Sequence, residues 1–261
     1  MCNFRVLICF DGSSSGLALL HLNRSSEDES SSGQKRRLLF TTDVVFIDDG
    51  GAFGESERNR RNRTSEILVV AEKLGFGSIM VTSLEHAISH CDQIPVVKSD
   101  RYAPDRHLPS DDERSRLEEL FSGMKDCTAK QSMLRHLKRK LLMRIAKENR
   151  FGKLFTSECS TSLAINLLSG IATGRGMQIP SDVGFRDSTD PDVEVIRPMR
   201  EFSGEEIEHY NAFHDHHGSG FAKPAFEGDA AGGIQRLTGS FVYGLQVFLK
   251  FILSEIVEKL D

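Results

Sequence analysis

The chain opens with a short apolar run that passes through a small-residue loop into a helical pattern, and this alternation recurs along most of its length. Phe4-Arg5-Val6-Leu7-Ile8-Cys9-Phe10 is followed at once by Asp11-Gly12-Ser13-Ser14-Ser15-Gly16, and Leu17-Ala18-Leu19-Leu20 then sets a helical period. Apolar runs this short, bounded by turn residues, read as strands covered on both faces. Strands of that kind pair in parallel and need helical crossovers between them. Four more such runs occur, at Asp43–Asp48, Ser78–Thr82, Lys153–Ser157 and Val193–Ile196. The expected fold is therefore α/β, an open, mostly parallel five-stranded sheet with crossover helices.

A small-residue loop between a buried strand and a helix is where backbone N–H groups can converge on an anion, helped by the helix dipole. This loop has no Lys to hold a phosphate and no acid at its far end to hold a magnesium ion. Asp11 stands at its entrance, where a carboxylate would repel a nucleotide. Asp11, Gly12, Ser13, Ser14, Ser15 and Gly16 thus read as a degenerate nucleotide loop.

Helices are expected at Leu17–Asn23, at Thr64–Leu74 with Gly75 as its stop, and from a Ser110 cap to Phe121. Others are expected at Ala129–Asn149, at Thr161–Ile171, from a Ser203 capping box to Phe213, and at Arg236–Leu260. Residues 24–37 are polar and of low complexity, which predicts a mobile insertion. Glu55–Arg63 reads as a charged loop and Leu84–Ser110 as a long irregular connection. The division that follows is a domain over 1–217, a flexible connection over 218–235, and a C-terminal helix over 236–261 that packs on the domain or on a partner. In that helix Phe241, Leu245, Phe248, Ile252 and Ile256 form one apolar row, thickened by Val242, Leu249, Leu253 and Leu260, and core burial is expected.

Net charge is −5 over 261 residues, which disfavours a protein that coats nucleic acid but permits a local basic face. The longest apolar stretch, Phe241–Leu253, is broken by Gln246 and Lys250 and is too short to span a bilayer, so no membrane partner is expected. Met1-Cys2-Asn3 leads straight into the first strand with no secretory pattern. The five cysteines (Cys2, Cys9, Cys91, Cys127, Cys159) form no Cys-x-x-Cys pair, which fits reduced thiols in the cytoplasm and gives no metal-site residues.

Several segments could carry chemistry. Glu158-Cys159-Ser160-Thr161-Ser162-Leu163-Ala164 follows the fourth strand, where parallel sheets place their crevices; an N-cap at Ser160 or Thr161, with Cys159 packed inside, is the simpler account. Gly174-Arg175-Gly176 puts an arginine between two glycines, suited to a phosphate, although a helix C-cap explains Gly174 equally well. Arg197 and Arg200 flank Pro198 after the fifth strand and could face an anion or an RNA backbone; Arg200 could equally pair with Glu201 or Glu205. The helix bearing Lys130, Arg135, Lys138, Arg139, Lys140, Arg144 and Lys147 has almost no compensating acid of its own, and Arg139, Lys140 and Arg144 are chosen as contacts for nucleic acid. His209, His214, His216 and His217 gather around Asp215, a loop cluster more typical of solvent than of a metal site.

Together these blocks resemble the cytoplasmic tRNA 2-thiolation protein 2 family. The likeness rests on Glu158–Ala164, on Gly174-Arg175-Gly176 with Gln178-Ile179-Pro180, and on Arg197-Pro198-Met199-Arg200-Glu201-Phe202 with Glu206 and Tyr210. Arg236-Leu237-Thr238-Gly239-Ser240-Phe241-Val242 with Leu245-Gln246 extends it. That family is related to the PP-loop ATP pyrophosphatases, whose active members carry Ser-Gly-Gly-x-Asp-Ser where this chain has Asp11–Gly16. Active relatives also carry Gly-His-Asn-x-Asp-Asp where it has Ser157–Ser162. Family members have cysteine pairs before the loop and near the C-terminus; this chain has neither, and reads as a reduced member or a shortened one.

The resemblance implies a PP-loop-like fold and a non-catalytic subunit in 2-thiolation of wobble uridine (U34) of cytoplasmic tRNA. It implies a heterodimer with a catalytic thiolation subunit, tRNA as substrate, and a ubiquitin-like carrier as indirect sulfur donor. No cofactor is expected in this chain, ATP being handled by the catalytic partner. Two alternatives stay open: an ATP-dependent adenylating enzyme with a non-standard loop, and a nucleotide-binding module of the same architecture. Absence of a carboxylate at Ser15 weighs against the first, because phosphoryl chemistry leans on metal charge.

Overall fold

Neighbouring residues of the first strand are buried on opposite faces, so the sheet is covered on both sides. The computed structural model describes residues 4–28, 40–89, 93–98, 108–215 and 233–258. Its strands are β1 (Phe4–Cys9), β2 (Phe40–Asp48), β3 (Ile79–Ser83), β4 (Val97–Lys98), β5 (Lys153–Phe155), β6 (Arg186–Asp187) and β7 (Glu194–Ile196). They lie in the order β4-β3-β2-β1-β5-β7-β6, with β3, β2, β1, β5 and β7 mutually parallel. The five runs legible in the sequence are these five parallel strands. The sheet has seven strands rather than five because β4 and β6, two residues each, pair antiparallel at its two edges. Strands that short carry no alternation to read.

The helices are α1 (Ser14–Asp28), α2 (Glu57–Lys73), α3 (Asp111–Ser122), α4 (Cys127–Glu148), α5 (Ser160–Ala172), α6 (Ile179–Val183), α7 (Gly204–Phe213) and α8 (Ile234–Glu258). Val6, Ile8, Val44 and Val81 form one core with Leu20 of α1 and Ile67 of α2. Leu7, Val45 and Leu154 form the other with Leu117 of α3 and Leu141 and Ile145 of α4. The chain thus winds α1 and α2 against one face, then crosses by α4 on the opposite face to reach β5. The reversal leaves a crevice between the C-terminal ends of β1 and β5.

Local chemistry sets the element ends. Ser110 and Ser203 close capping boxes with Glu113 and Glu206. Gly75 (φ +86°) stops α2 in the left-handed conformation.

Several expectations need correction. Helix α1 runs on to Asp28, so residues 24–28 are helical rather than part of an insertion; residues 29–37 lie outside the described residues. Residues 57–63 are the first two turns of α2 rather than a loop, with Ser56 as N-cap. Within the irregular stretch, residues 84–87 form a 3-10 turn and β4 joins the sheet. Helix α8 starts at Ile234, within the stretch expected to be a flexible connection; residues 218–232 of that stretch lie outside the described residues. Helix α8 packs on α5, with Gly239 facing Ile165 and the Gln246 amide donating to Thr161 Oγ1 at 3.3 Å, and Val242 is buried. The described members of its expected core row are not buried, Phe241, Leu245 and Phe248 being 59%, 43% and 58% exposed; the side chains of Ile252 and Ile256 lie outside the described residues. The helix is apolar round more of its circumference than α5 can cover.

Candidate functional site

The loop between β1 and α1 is folded around its own carboxylate. Asp11 Oδ1 accepts the Ser13 backbone N–H at 3.0 Å and the Ser13 hydroxyl at 2.6 Å. The Ser13 Oγ in turn accepts the Gly16 N–H at 3.0 Å and lies 3.1 Å from the Ser15 hydroxyl. Two of the N–H groups that a phosphate loop would offer to a ligand, those of Ser13 and Gly16, are spent inside the loop. Gly12 takes φ +80°, and a Cβ on Gly16 would sit 2.8 Å from Asp11 Oδ1, so this tight arrangement depends on both glycines.

Beside the loop lies a cleft of about 340 Å³ at the ends of β1 and β5. Ile47, Leu134, Leu142, Leu154 and Val195 give it an apolar interior. Its polar wall comes mainly from α4, with Gln131, Arg135, Lys138 and Arg139, and from Glu158 and Arg197 beyond β5. Cys9 also lines it; burial first, and then the Asp11 carboxylate, push this thiol from its ordinary 9.0 up to about 12. It is a neutral thiol at physiological pH and no ready nucleophile.

Most cations of this wall are matched by acids from other elements. Lys138 bonds Asp49. Burial works to lower its pKa, but Asp49 and then Asp11 hold it above the ordinary value. Arg139 pairs with Asp187 and faces Asp182 at 3.9 Å. Arg197, 2% exposed, donates to Glu158 at 2.8 Å and to the carbonyls of Gly184 and Ser181 at 2.8 and 3.0 Å. The helix that carries almost no acid of its own is therefore largely neutralised in three dimensions, contrary to its reading as a bare basic face.

The remaining sequence-chosen residues are spread around this site. Lys140 is exposed on the far side of α4, and Arg144 pairs with Glu148 one turn on at 3.6 Å. Gly174 (φ +73°) ends α5, with Arg175 N–H reaching the Gly170 carbonyl at 2.9 Å, so the C-cap account of this glycine holds. Gly176 is exposed and opens the 3-10 turn before α6. Arg175 donates from Nε to Thr173 Oγ1 at 3.1 Å. Arg200 donates to the Val183 carbonyl at 3.1 Å and pairs with Glu201. Cys159 is itself the N-cap of α5 and makes no side-chain cap bond. Ser160 is the first residue of that helix, and Thr161 instead accepts the Gly204 N–H at 3.1 Å, which corrects the expected cap. His214 stacks against Tyr210 and His21, with ring centroids 4.6 Å apart in each pair; His216 and His217 lie outside the described residues.

Sequence reasoning overlooked Gln131, Lys138, Asn166 and Asp49 as site residues. A signal for the first two was present, since Gln131, Arg135, Lys138 and Leu142 recur at helical spacing and form one stripe on α4. The polar members of that stripe line the cleft rather than the core.

No model of a protein family matches the chain. Individual proteins do. Cytoplasmic tRNA 2-thiolation protein 2 of Danio rerio is 32% identical over 248 residues, covering 82% of this chain and 49% of that protein. Cytoplasmic tRNA 2-thiolation protein 2-A of Xenopus laevis is 32% identical over 288 residues, covering 93% and 55%. Cytoplasmic tRNA 2-thiolation protein 2 of Homo sapiens is 26% identical over 210 residues, covering 64% and 41%. The chain spans about half the length of the curated relatives it matches.

Among solved structures, the U34-tRNA thiolase NcsA from Methanococcus maripaludis, described with its 4Fe–4S cluster, aligns with a TM-score of 0.62. That alignment covers 94% of this chain and 66% of the thiolase at 12% identity, a likeness of fold. An iron–sulfur cluster needs gathered thiolates. Among the described residues no three Cys, His, Asp or Glu side chains come together to hold a metal ion, and Cys9, Cys127 and Cys159 sit on separate elements, so these residues do not fit a cluster. The fold of a tRNA thiolase is combined here with a sequence related to other proteins, and over most of its length the chain belongs to the cytoplasmic tRNA 2-thiolation protein 2 family.

Proposed function

We propose that this chain serves 2-thiolation of the wobble uridine of cytoplasmic tRNA as a subunit without catalysis of its own, paired with a catalytic PP-loop subunit. Kinship to the thiolation proteins supports the pathway, and the Asp11 carboxylate seated in the β1–α1 loop supports the non-catalytic role. A helix N-terminus favours an anion by about 0.3–1 kcal/mol. Two unit charges about 4 Å apart near a protein surface repel by roughly 4 kcal/mol. With Asp11 ionised, repulsion outweighs the dipole and a nucleotide phosphate is excluded from the loop. In this reading ATP and sulfur from a ubiquitin-like carrier are handled on the partner, in the cytoplasm, and this chain contributes tRNA and partner contacts. Arg139, Lys140, Arg144, Arg175, Arg197 and Arg200 remain the proposed source of those contacts, Lys140 and Arg200 being the more accessible.

The test is the level of wobble 2-thiouridine in bulk tRNA from cells depleted of the protein, read by mass spectrometry. Loss of the thiolated nucleoside, restored both by the wild-type chain and by a copy with Ser13, Ser14 and Ser15 changed to alanine, is the expected result. Unchanged thiolation on depletion would overturn the reading. The preserved cleft keeps the nucleotide-binding module as a second reading, which predicts a thermal shift with ATP and no effect on thiolation.

A further inference from the structure

Helix α8 meets the rest of the described fold on one side only. Gly239 faces Ile165 of α5, the Gln246 amide reaches Thr161 Oγ1 at 3.3 Å, and Val242, between them on the same side, is buried. Leu237, Phe241, Leu245 and Phe248 recur at steps of three and four on the side away from α5, and Leu249 adjoins them. All five are 43–71% exposed.

The size of this face, its lack of charge and its symmetry together identify what covers it. Side chains of about 150–250 Å² at these exposures present on the order of 600 Å² of apolar surface, close to the apolar share, about two thirds, of the roughly 800 Å² that each copy gives to a stable dimer. Residues 237–249 contain no Asp, Glu, Lys, Arg or His. An acidic or basic partner would find no counter-charge here, and a helix that lies on a membrane carries Lys and Arg beside its apolar face. A second copy of the same face meets no like charge.

A surface that pairs with itself must be complementary across a two-fold axis. Phe241 and Phe248 stand at equal distances on either side of the Gly244–Leu245 peptide. In an antiparallel pair whose axis passes between these two positions, Phe241 of each copy opposes Phe248 of the other and the two Leu245 side chains meet. Gly244 is exposed, with no atom within 4 Å of where a Cβ would stand, so the backbones can approach closely and leave room for the facing rings. The helix dipoles oppose one another in this arrangement.

We propose that two copies of this chain associate through the outer face of α8, paired antiparallel about that axis. The contact goes beyond the thiolation reading and does not depend on it; a catalytic subunit would pair through another face.

The test measures the mass of the full chain by sedimentation equilibrium over a wide range of concentration. Wild type is expected to be a dimer that dissociates on dilution. Phe241→Glu and Phe248→Glu are each expected to weaken the dimer by at least about a hundredfold, because either places an unpaired carboxylate in the contact. Both sites are exposed in the single chain, so the thermal midpoint of the dilute protein should not move. Val247→Glu, at an exposed position outside the row, should leave the dimer intact. A wild-type chain that is monomeric throughout, a dimer untouched by Phe241→Glu, or one lost equally with Val247→Glu would overturn the proposal.

The register is read by mixing Phe241→Cys with Phe248→Cys and adding a short bismaleimide, with the linked residues identified by mass spectrometry. A link between positions 241 and 248 of different copies is expected; a link from 241 to 241 would mean a parallel pair and overturn the proposed arrangement. Co-expression with a catalytic PP-loop subunit gives the last arm. A complex with that subunit that survives Phe241→Glu agrees with a separate face, whereas its loss would assign α8 to the catalytic partner and overturn self-association.

Discussion

Two groups of arginines border the C-terminal edge of this sheet, and the fold treats them oppositely. Arg60, 1% exposed, donates to Asp48 at 2.7 Å, to Glu85 at 2.7 and 3.1 Å and to Ser83 at 2.7 Å, while Arg63 reaches Asp48, Asp49 and Glu55. Gly50 and Gly51 let the backbone pass this network, since a Cβ on Gly51 would lie 2.0 Å from Glu85 Oε1. Arg135, by contrast, leans on one neutral amide at the wall of an open cleft. A buried charge must be paired for the fold to survive, so the Arg60 cluster is explained by stability. A cation beside a cleft that is left unmatched while its neighbours on α4 are matched contributes little to stability, and its presence points to something that comes from outside.

The largest effect separating the two groups is expected at Arg60. Arg60→Met strands Asp48 and Glu85, both 0% exposed, without their main counter-ion. Removing one partner of a buried ion pair costs about 3–5 kcal/mol. Urea denaturation should show the loss as a lower midpoint with an unchanged slope. A variant within about 1 kcal/mol of wild type would show that water or rearrangement satisfies these carboxylates, and the contrast between the two arginine groups would lose its basis.

How much of this could be read from the sequence follows the same division. The five parallel strands were legible because a strand covered on both faces is an unbroken apolar run. The start of α2 was not, because its inward stripe is Arg60, Thr64, Ile67, Ala71, and the first two members are polar. Periodicity is sought in apolar residues, so a helix that buries an ion network in its first turns looks like a charged loop. The cleft was hidden in the same way: Gln131, Arg135 and Lys138 share a face of α4, but were counted only as part of a basic helix. The acids that neutralise that helix, Asp49, Asp182, Asp187 and Asp190, come from three other parts of the chain, and no local count can pair them. Asp11 reads from the sequence as an obstacle to nucleotide; that its carboxylate holds Ser13 from within the loop needed coordinates.

An intermediate effect is expected from the thiol on the cleft floor, which tests whether this side of the sheet is as enclosed as the Arg60 side. Cys9 is raised from 9.0 to about 12, first by burial and then by Asp11. A group whose folded pKa lies above its unfolded value contributes stability that is complete below the unfolded value and lost as pH rises through the folded one. The window is therefore between pH 9 and about 12. Wild type should lose more stability across that window than Cys9→Ala, which has no thiol to ionise, with the same urea assay run at each pH. Parallel curves for the two proteins would mean that the thiol ionises freely in the folded state, and that the cleft floor is open to solvent.

The smallest effect, and the sharpest for the comparison, is expected at Arg135. Arg135→Gln removes a partly buried cation whose largest charged influence is the like charge of Arg175, and leaves an amide able to meet Asn166. The lost hydrogen bond is worth about 0.5–1.5 kcal/mol, and relief of repulsion and desolvation runs the other way. The net change in unfolding free energy should lie within about 1 kcal/mol of zero, well below that of Arg60→Met. Any destabilisation should grow in high salt, where the Arg135–Arg175 repulsion of the parent protein is screened, so that wild type gains and the variant does not. A loss as large as at Arg60 would mean that Arg135 is a structural residue like the other, and the case for a ligand at the cleft wall would fall with the contrast on which it stands.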